Sequence, residues 1–130
     1  MSTIFTKIIN REIPAYIIAE DERFIAFLDA FPLVKGHTLV VPKQELDYIF
    51  DIEDDLLANL HIFAKQIAIA MKKAIPCTRI GMTVIGLEVP HTHIHLIPIN
   101  QVSDMNFAKS KIQLSPEEMI SVASEIKTYL

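Results

Sequence analysis

The chain has 130 residues, 51% of them apolar and 22% charged, with 3 Gly and 7 Pro, which fits one domain with a real core and excludes low complexity. A formal charge of −4 gives no basic face for wrapping nucleic acid, although a pocket on an acidic protein can still be locally positive. The single Cys77 cannot form an intramolecular disulfide, and no paired cysteines suggest a zinc knuckle. Lys7, Arg11 and Glu12 interrupt any apolar core a signal peptide would need, and no apolar run reaches the ~18 residues of a membrane span, so a cytoplasmic location is expected.

In chain order, Ile4, Phe5, Ile8 and Ile9 recur at helical spacing before Pro14, predicting a short amphipathic helix over Thr3 to Asn10. Tyr16 to Asp29 is apolar on both sides of Asp21-Glu22, the pattern of a two-stranded hairpin. Ala30 to Gly36, with Pro32 and Gly36, is a loop, and His37 to Val41 is a third strand ended by Pro42. Leu56, Leu60, Phe63, Ile67, Met71 and Ala74 lie on one face of a long helix from Ile52 to Ile75. Asp51 is its expected cap, Glu53, Asp54 and Asp55 suit its positive end, and Lys72 and Lys73 suit its negative end before Pro76 stops it. His61, between Leu60 and Ile62, reads as a solvated helix residue.

Arg79 to Ile85 and Thr92 to Ile97 are two further strands separated by Gly86 and Pro90. Ser115-Pro116-Glu117-Glu118 opens a last helix with a capping box, and Met119, Ile120, Ala123, Ile126 and Leu130 are its expected buried stripe. Paired strands that do not alternate strictly with helices predict a single α+β domain over residues 1–130. Its sheet is mainly antiparallel, of about five strands, with one long and one C-terminal helix.

Three of the five histidines fall in the run His91-Thr92-His93-Ile94-His95. On a strand they share one face with imidazoles starting about 6.5–7 Å apart, while Ile94 and Leu96 join the core opposite. Such a wall of imidazoles suits metal ligation, phosphate chemistry with neutral imidazole as nucleophile, or an inert hydrogen-bonded surface. The local pattern does not choose among them.

Asp29 to Lys43, containing Lys35-Gly36-His37-Thr38-Leu39-Val40-Val41-Pro42, together with His91 to Pro98, closely resembles the histidine-triad hydrolase family. Ile4-Phe5-Thr6-Lys7-Ile8-Ile9 with Ile13-Pro14-Ala15 is similar to that family's N-terminus, so three motifs occur in the family's order between Ile4 and Ile99. The Ile94 between His93 and His95 differs from the His-Pro-His of the sugar-phosphate nucleotidylyltransferase branch and favours hydrolysis.

The resemblance implies a histidine-triad fold, a homodimer, and a purine nucleotide substrate with neither a metal nor another cofactor. It implies that His93 attacks the α-phosphorus to form a nucleotidyl-histidine, and that His95 hydrogen-bonds the phosphate oxygens. His91 and His37 match residues that orient the nucleophile and relay protons, and Asp29 matches the carboxylate that accepts the ribose hydroxyls. Ile4, Phe5, Ile8 and Phe27 match the purine pocket. A nucleoside phosphoramidase is the favoured activity. A dinucleoside polyphosphate hydrolase is the nearest rival, and a non-catalytic nucleotide- or metal-binding module is a reading from another class.

The approach to the triad departs from the family pattern. Gly86 and Val89 remain as nucleotide-side positions, but Leu87 replaces a Gln, Glu88 replaces a small hydroxyl residue, and the family's Asn is absent. A carboxylate about 6 Å from a phosphate would cost roughly 3 kcal/mol at an effective dielectric near 20, so Glu88 is expected to turn outward or to meet a cationic leaving group. Thr6 stands where some relatives place a zinc-binding cysteine.

Overall fold

The computed structural model describes residues 2–130 and contains ten short elements around one sheet. Helix α1 (Ile4–Ile9) is capped by Thr3, whose side chain accepts from the Thr6 amide. Strands β1 (Ile17–Glu20) and β2 (Phe24–Leu28) form the expected hairpin. Asp21 turns it by accepting the Arg23 and Phe24 amides, both at 2.8 Å. Strand β3 (Thr38–Pro42) pairs antiparallel with β2, and the order β1-β2-β3-β5-β4 includes β4 (Arg79–Thr83) and β5 (Ile94–Ile99). Every pairing is antiparallel, as the reading of an α+β domain with about five strands expects.

The two faces of the sheet are covered unequally. On one, Phe24, Ala26, Leu28, Val40, Ile94 and Leu96 pack against the long helix α2 (Asp54–Ala74) and helix α3 (Pro116–Lys127). On the other, Ile25, Phe27, Leu39 and Val41 meet the short α1 through Phe5 and Ile8, with Ile13, Ala15 and Val89 from the loops packed alongside. Strands buried on both faces explain why β2 and β3 are continuous apolar runs rather than alternating ones. The thinly covered face leaves room for a site.

Four sequence expectations are corrected. Asp51 does not cap α2: it ends a 3-10 turn over Ile49–Asp51, and α2 begins after Glu53, which makes no side-chain cap bond. In α3 the buried stripe is Met119, Val122, Ala123 and Ile126; Ile120 is exposed one position off it, and Leu130 lies exposed beyond the helix end. β4 stops at Thr83 instead of Ile85. The largest correction is that His91 and His93 are not on a strand, since β5 begins at Ile94.

The register explains the last two. Val40 pairs with Ile94, so the ladder would next need Pro42 opposite Thr92, and proline has no N–H to give. The chain peels away there: the Thr92 amide donates to Leu46 O at 2.6 Å and its hydroxyl to Asp47 O at 2.9 Å. β4 loses its partner at the same level, beyond the Thr83–His95 pair.

Gly36 sits immediately before His37 with φ +91°, a backbone region L side chains avoid, and an added Cβ would strike Ile75 Cδ1. Gly36→Ala is therefore expected to destabilise the domain by about 2–4 kcal/mol, strain and overpacking together. Urea unfolding checks this, and a loss below about 0.5 kcal/mol would show that the turn is not constrained as described.

Candidate active site

The irregular stretch before β5 carries the histidines past the thinly covered face. Four of them are almost fully buried there: His37 at 1%, His91 at 0%, His93 at 6% and His95 at 7% exposure. Buried imidazoles need partners, and the partners here fix each ring's tautomer. Pro42 O can only accept, so His91 Nε2 donates to it at 2.7 Å, leaving His91 Nδ1 to accept from the Thr3 hydroxyl at 2.8 Å. His91 O can likewise only accept, so His93 Nδ1 carries the proton at 2.7 Å. The lone pair of His93 is then on Nε2, which makes no hydrogen bond within the protein.

A second chain orders the other two rings. The Leu33 amide donates to His37 Nδ1 at 3.0 Å, so His37 Nε2 carries the proton and donates to His95 Nδ1 at 2.9 Å. That leaves the His95 Nε2–H as a free donor. The rings of His93 and His95 meet edge to face with centroids 4.9 Å apart. The arrangement pairs a nucleophilic nitrogen with a neighbouring donor, as displacement at phosphorus requires. His91 and His37 both have each ring nitrogen engaged inside the protein, so their geometry is that of orienting groups.

Burial also sets the charge state. It pushes His37 down to about 4 and His95 down to about 3, with the positive charges of Lys111 and His93 adding to the effect on both rings and His37 adding to that on His95. Burial lowers His91 as well, against the Pro42 hydrogen bond and the Glu45 charge, which act the other way. The ordered tautomers of His37, His91 and His95 are therefore those of neutral rings.

Asp29 joins the cluster from the end of β2. Its Oδ1 accepts the Phe31 amide at 2.9 Å, while Oδ2 stands 3.6 Å from His37 Nε2, outside hydrogen-bond reach. Burial raises its pKa, and Glu88 adds slightly by like charge. Glu88 itself is exposed and makes no ion pair among the described residues, which agrees with an outward orientation, yet it is close enough for Asp29 to feel it.

Asp29, His37 and His95 bring their ligand atoms within 4.8 Å of one another, the spacing of a possible metal site. Their donor chemistry fits an ion poorly. His37 Nδ1 already accepts an amide proton, so presenting Nε2 to a metal would require an imidazolate.

The apolar residues singled out by sequence divide. Phe5 stacks edge-on to His91 and His93 at 5.7 and 4.9 Å and tilts against Phe27 at 5.7 Å, with Ile8 buried beside them. Ile4 is half exposed, as a residue at the rim would be. Val89 packs on this cluster and its carbonyl takes the His91 amide at 2.8 Å. Gly86 has φ +75° with open space around it and stands apart from the rings.

Sequence reasoning missed four participants. Phe107 lies edge-on to His95 at 4.8 Å and to His37 at 6.1 Å, roofing the pair, and Lys111 stands over Phe107 at 5.5 Å. Thr3 and Glu45 hold the far side of His91. No periodicity marks any of them, because each reaches the site from a loop or a cap.

A family model of the HIT domain matches residues 10–102. An uncharacterized HIT-like protein of Borreliella burgdorferi is 34% identical over 131 residues, covering 95% of this chain and 94% of its own. The adenosine 5'-monophosphoramidase of Saccharomyces cerevisiae is 38% identical over 96 residues, covering 73% of this chain and 61% of that protein. Among solved structures, a HIT-like protein from Bartonella henselae superposes with a TM-score of 0.86 at 30% identity, covering 99% of this chain and 96% of that one. A zinc-bound histidine triad family protein from Mycobacterium smegmatis gives 0.81 at 25%, covering 99% and 93%.

The buried rings of His37, His91 and His95 make stability depend on pH. Their folded pKa values lie below the unfolded value near 6.5, so the unfolded chain binds more protons as pH falls. Stability is therefore fully present above pH 6.5 and is lost on acidification toward pH 4, at about 1.4 kcal/mol per pH unit for each ring held neutral. Urea unfolding at pH 7 and pH 5 reads this directly, and His95→Asn should flatten the difference. Equal stability at the two pH values would contradict the assigned protonation states.

Proposed function

The chain belongs to the HIT domain family, and from that premise we propose that it is a cytoplasmic nucleotide hydrolase acting at the α-phosphorus of purine nucleotides. The favoured substrate is a nucleoside phosphoramidate, adenosine phosphoramidate in particular, in keeping with the activity named for the yeast relative. One observation carries the reading: the His91 carbonyl holds the His93 Nδ1 proton at 2.7 Å and so frees Nε2 as nucleophile.

In this mechanism His93 Nε2 forms a bond to phosphorus as the bond to the leaving nitrogen breaks. The departing amine keeps that electron pair and takes a proton from water. The charge building on the phosphoryl oxygens meets the His95 Nε2–H, whose orientation His37 fixes in advance. Water then attacks the nucleotidyl-histidine: phosphorus takes its oxygen, the P–N electron pair returns to Nε2, and the water's proton neutralises the hydroxide left when the amine was protonated. Splitting one displacement into two lets the same preorganised donor serve both steps. Asp29 Oδ2 accepts the ribose hydroxyls, and Ile4, Phe5, Ile8 and Phe27 receive the purine, with Val89 and Gly86 along its phosphate side.

Lys111 favours a second reading, cleavage of dinucleoside polyphosphates, because its charge reaches Asp29, His37 and His95 and would attract an anionic leaving group. A homodimer is part of the proposal too. β4 pairs only with β5, and Met82, Ile85 and Leu87 beside its free edge are exposed.

Steady-state hydrolysis of adenosine phosphoramidate and diadenosine polyphosphates, with ribose and dideoxyribose forms of each, ranks the substrates. His93→Asn is expected to abolish turnover and keep nucleotide binding, and chelator-treated wild type is expected to stay active. A kcat in that variant within tenfold of wild type would sink the mechanism. Light scattering on the eluting peak checks the assembly: a mass near twice that of one 14.7 kDa chain is expected, and a monomer at working concentration would refute it.

A further inference from the structure

Behind the nucleophile lies a network that the chemistry above leaves unused. Glu45 follows β3 by three residues and is exposed, yet one oxygen, Oε1, takes two protons from the N-terminal helix. These come from the Thr3 amide at 2.9 Å and the Thr6 hydroxyl at 2.7 Å. The two hydrogen bonds hold its carboxyl below the usual carboxylate range. The Thr3 hydroxyl, in turn, accepts the Thr6 amide at 3.1 Å and points its own proton at His91 Nδ1, 2.8 Å away. From His91 the chain continues through its carbonyl to the His93 ring.

The bonds to Glu45 and Pro42 have fixed directions, and the Thr3 hydroxyl has its nearer acceptor in His91 Nδ1, with Thr6 Oγ1 farther at 3.3 Å. Glu45 accepts twice, so Thr6 must spend its hydroxyl proton on Glu45 and cannot offer it to Thr3. Thr3 then has one hydroxyl proton, and the neutral His91 ring, whose other nitrogen donates to Pro42 O, has one lone pair to receive it. Swapping the His91 tautomer would set two acceptors face to face at Pro42 O and turn the Thr3 proton from the ring to Thr6 Oγ1, 3.3 Å away. A buried polar atom left so costs about 1–3 kcal/mol. The Pro42 carbonyl sets the tautomer of this ring of 0% exposure, and the surface carboxylate holds the Thr3 cap that meets its lone pair.

We infer that Thr3 and Glu45 are positioning residues, which clamp the His91 ring and through it hold the His93 nucleophile in register with the helix that bears the base pocket. The same six-residue α1 supplies Phe5, whose ring abuts both His91 and His93. Docking of α1 and alignment of the nucleophile are thus one event rather than two. The inference rests on His93 being the nucleophile, but the hydrogen-bond clamp can be read without substrate.

The test uses full-length Thr3→Val, which keeps the shape and removes the hydroxyl, with Thr3→Ser to restore it. Glu45→Ala and Glu45→Gln form the matching pair, the amide keeping an accepting oxygen. Nitrogen-15 spectra of the histidine rings and steady-state kinetics are recorded on each. In Thr3→Val the His91 Nδ1 resonance is expected to move toward that of an unbonded lone pair. kcat is expected to fall about tenfold with KM within threefold, a misplacement penalty rather than a binding one. Glu45→Ala should shift both readouts in the same direction and less far. Ser and Gln should return them toward wild type. Folded Thr3→Val with unchanged ring resonances would overturn the inference. So would altered resonances with kcat within twofold of wild type. If wild type turns over no nucleotide, the proposed hydrolase reading fails, and the ring spectra alone then decide whether the clamp exists.

Discussion

Pro42 is the constraint on which the site depends. As the last residue of β3 it has no N–H, so the ladder to β5 cannot extend to Thr92. Its carbonyl, freed from the ladder, is taken by His91 Nε2 instead. One missing donor thus ends the sheet and supplies the anchor for the first histidine. Had the strand continued, His91, His93 and His95 would have stood side by side at strand spacing. As it is, His93 turns onto His95 at a 4.9 Å ring separation and His91 drops behind as a support.

The site is a set of buried imidazoles whose hydrogen-bond directions are dictated by groups that cannot change sides. Two carbonyls and one amide, those of Pro42, His91 and Leu33, settle where every proton sits. Burial supports this by making the protonated forms of His37 and His95 costly. The stability cost of sinking four polar rings is borne by the other side of the sheet, where α2 and α3 seal a continuous apolar layer. That division of labour, core on one face and chemistry on the other, explains how a 130-residue chain can hold both.

Much of this was legible in the chain. The hairpin, the long helix and the capping box of α3 follow from period, turn residues and caps, because those signals are local. The resemblance of Lys35 to Pro42 and His91 to Pro98 to the histidine-triad family pointed to the right family from two stretches far apart in sequence. The same local reasoning failed at Asp51, where a 3-10 turn intervenes, and at Ile120, one position off the stripe set by Met119, Val122 and Ile126.

What the sequence by itself determined is the alternation of elements and the family, since both depend on side-chain type and spacing. Only the tertiary structure decided how each buried ring satisfies its two nitrogens. That outcome depends on donors and acceptors contributed by Thr3, Leu33, Pro42 and Glu45, which lie between 4 and 88 positions from the groups they bond. Such pairings carry no period and no motif. They exist because a buried ring must satisfy both nitrogens with whatever backbone or side-chain groups the fold brings within 3 Å.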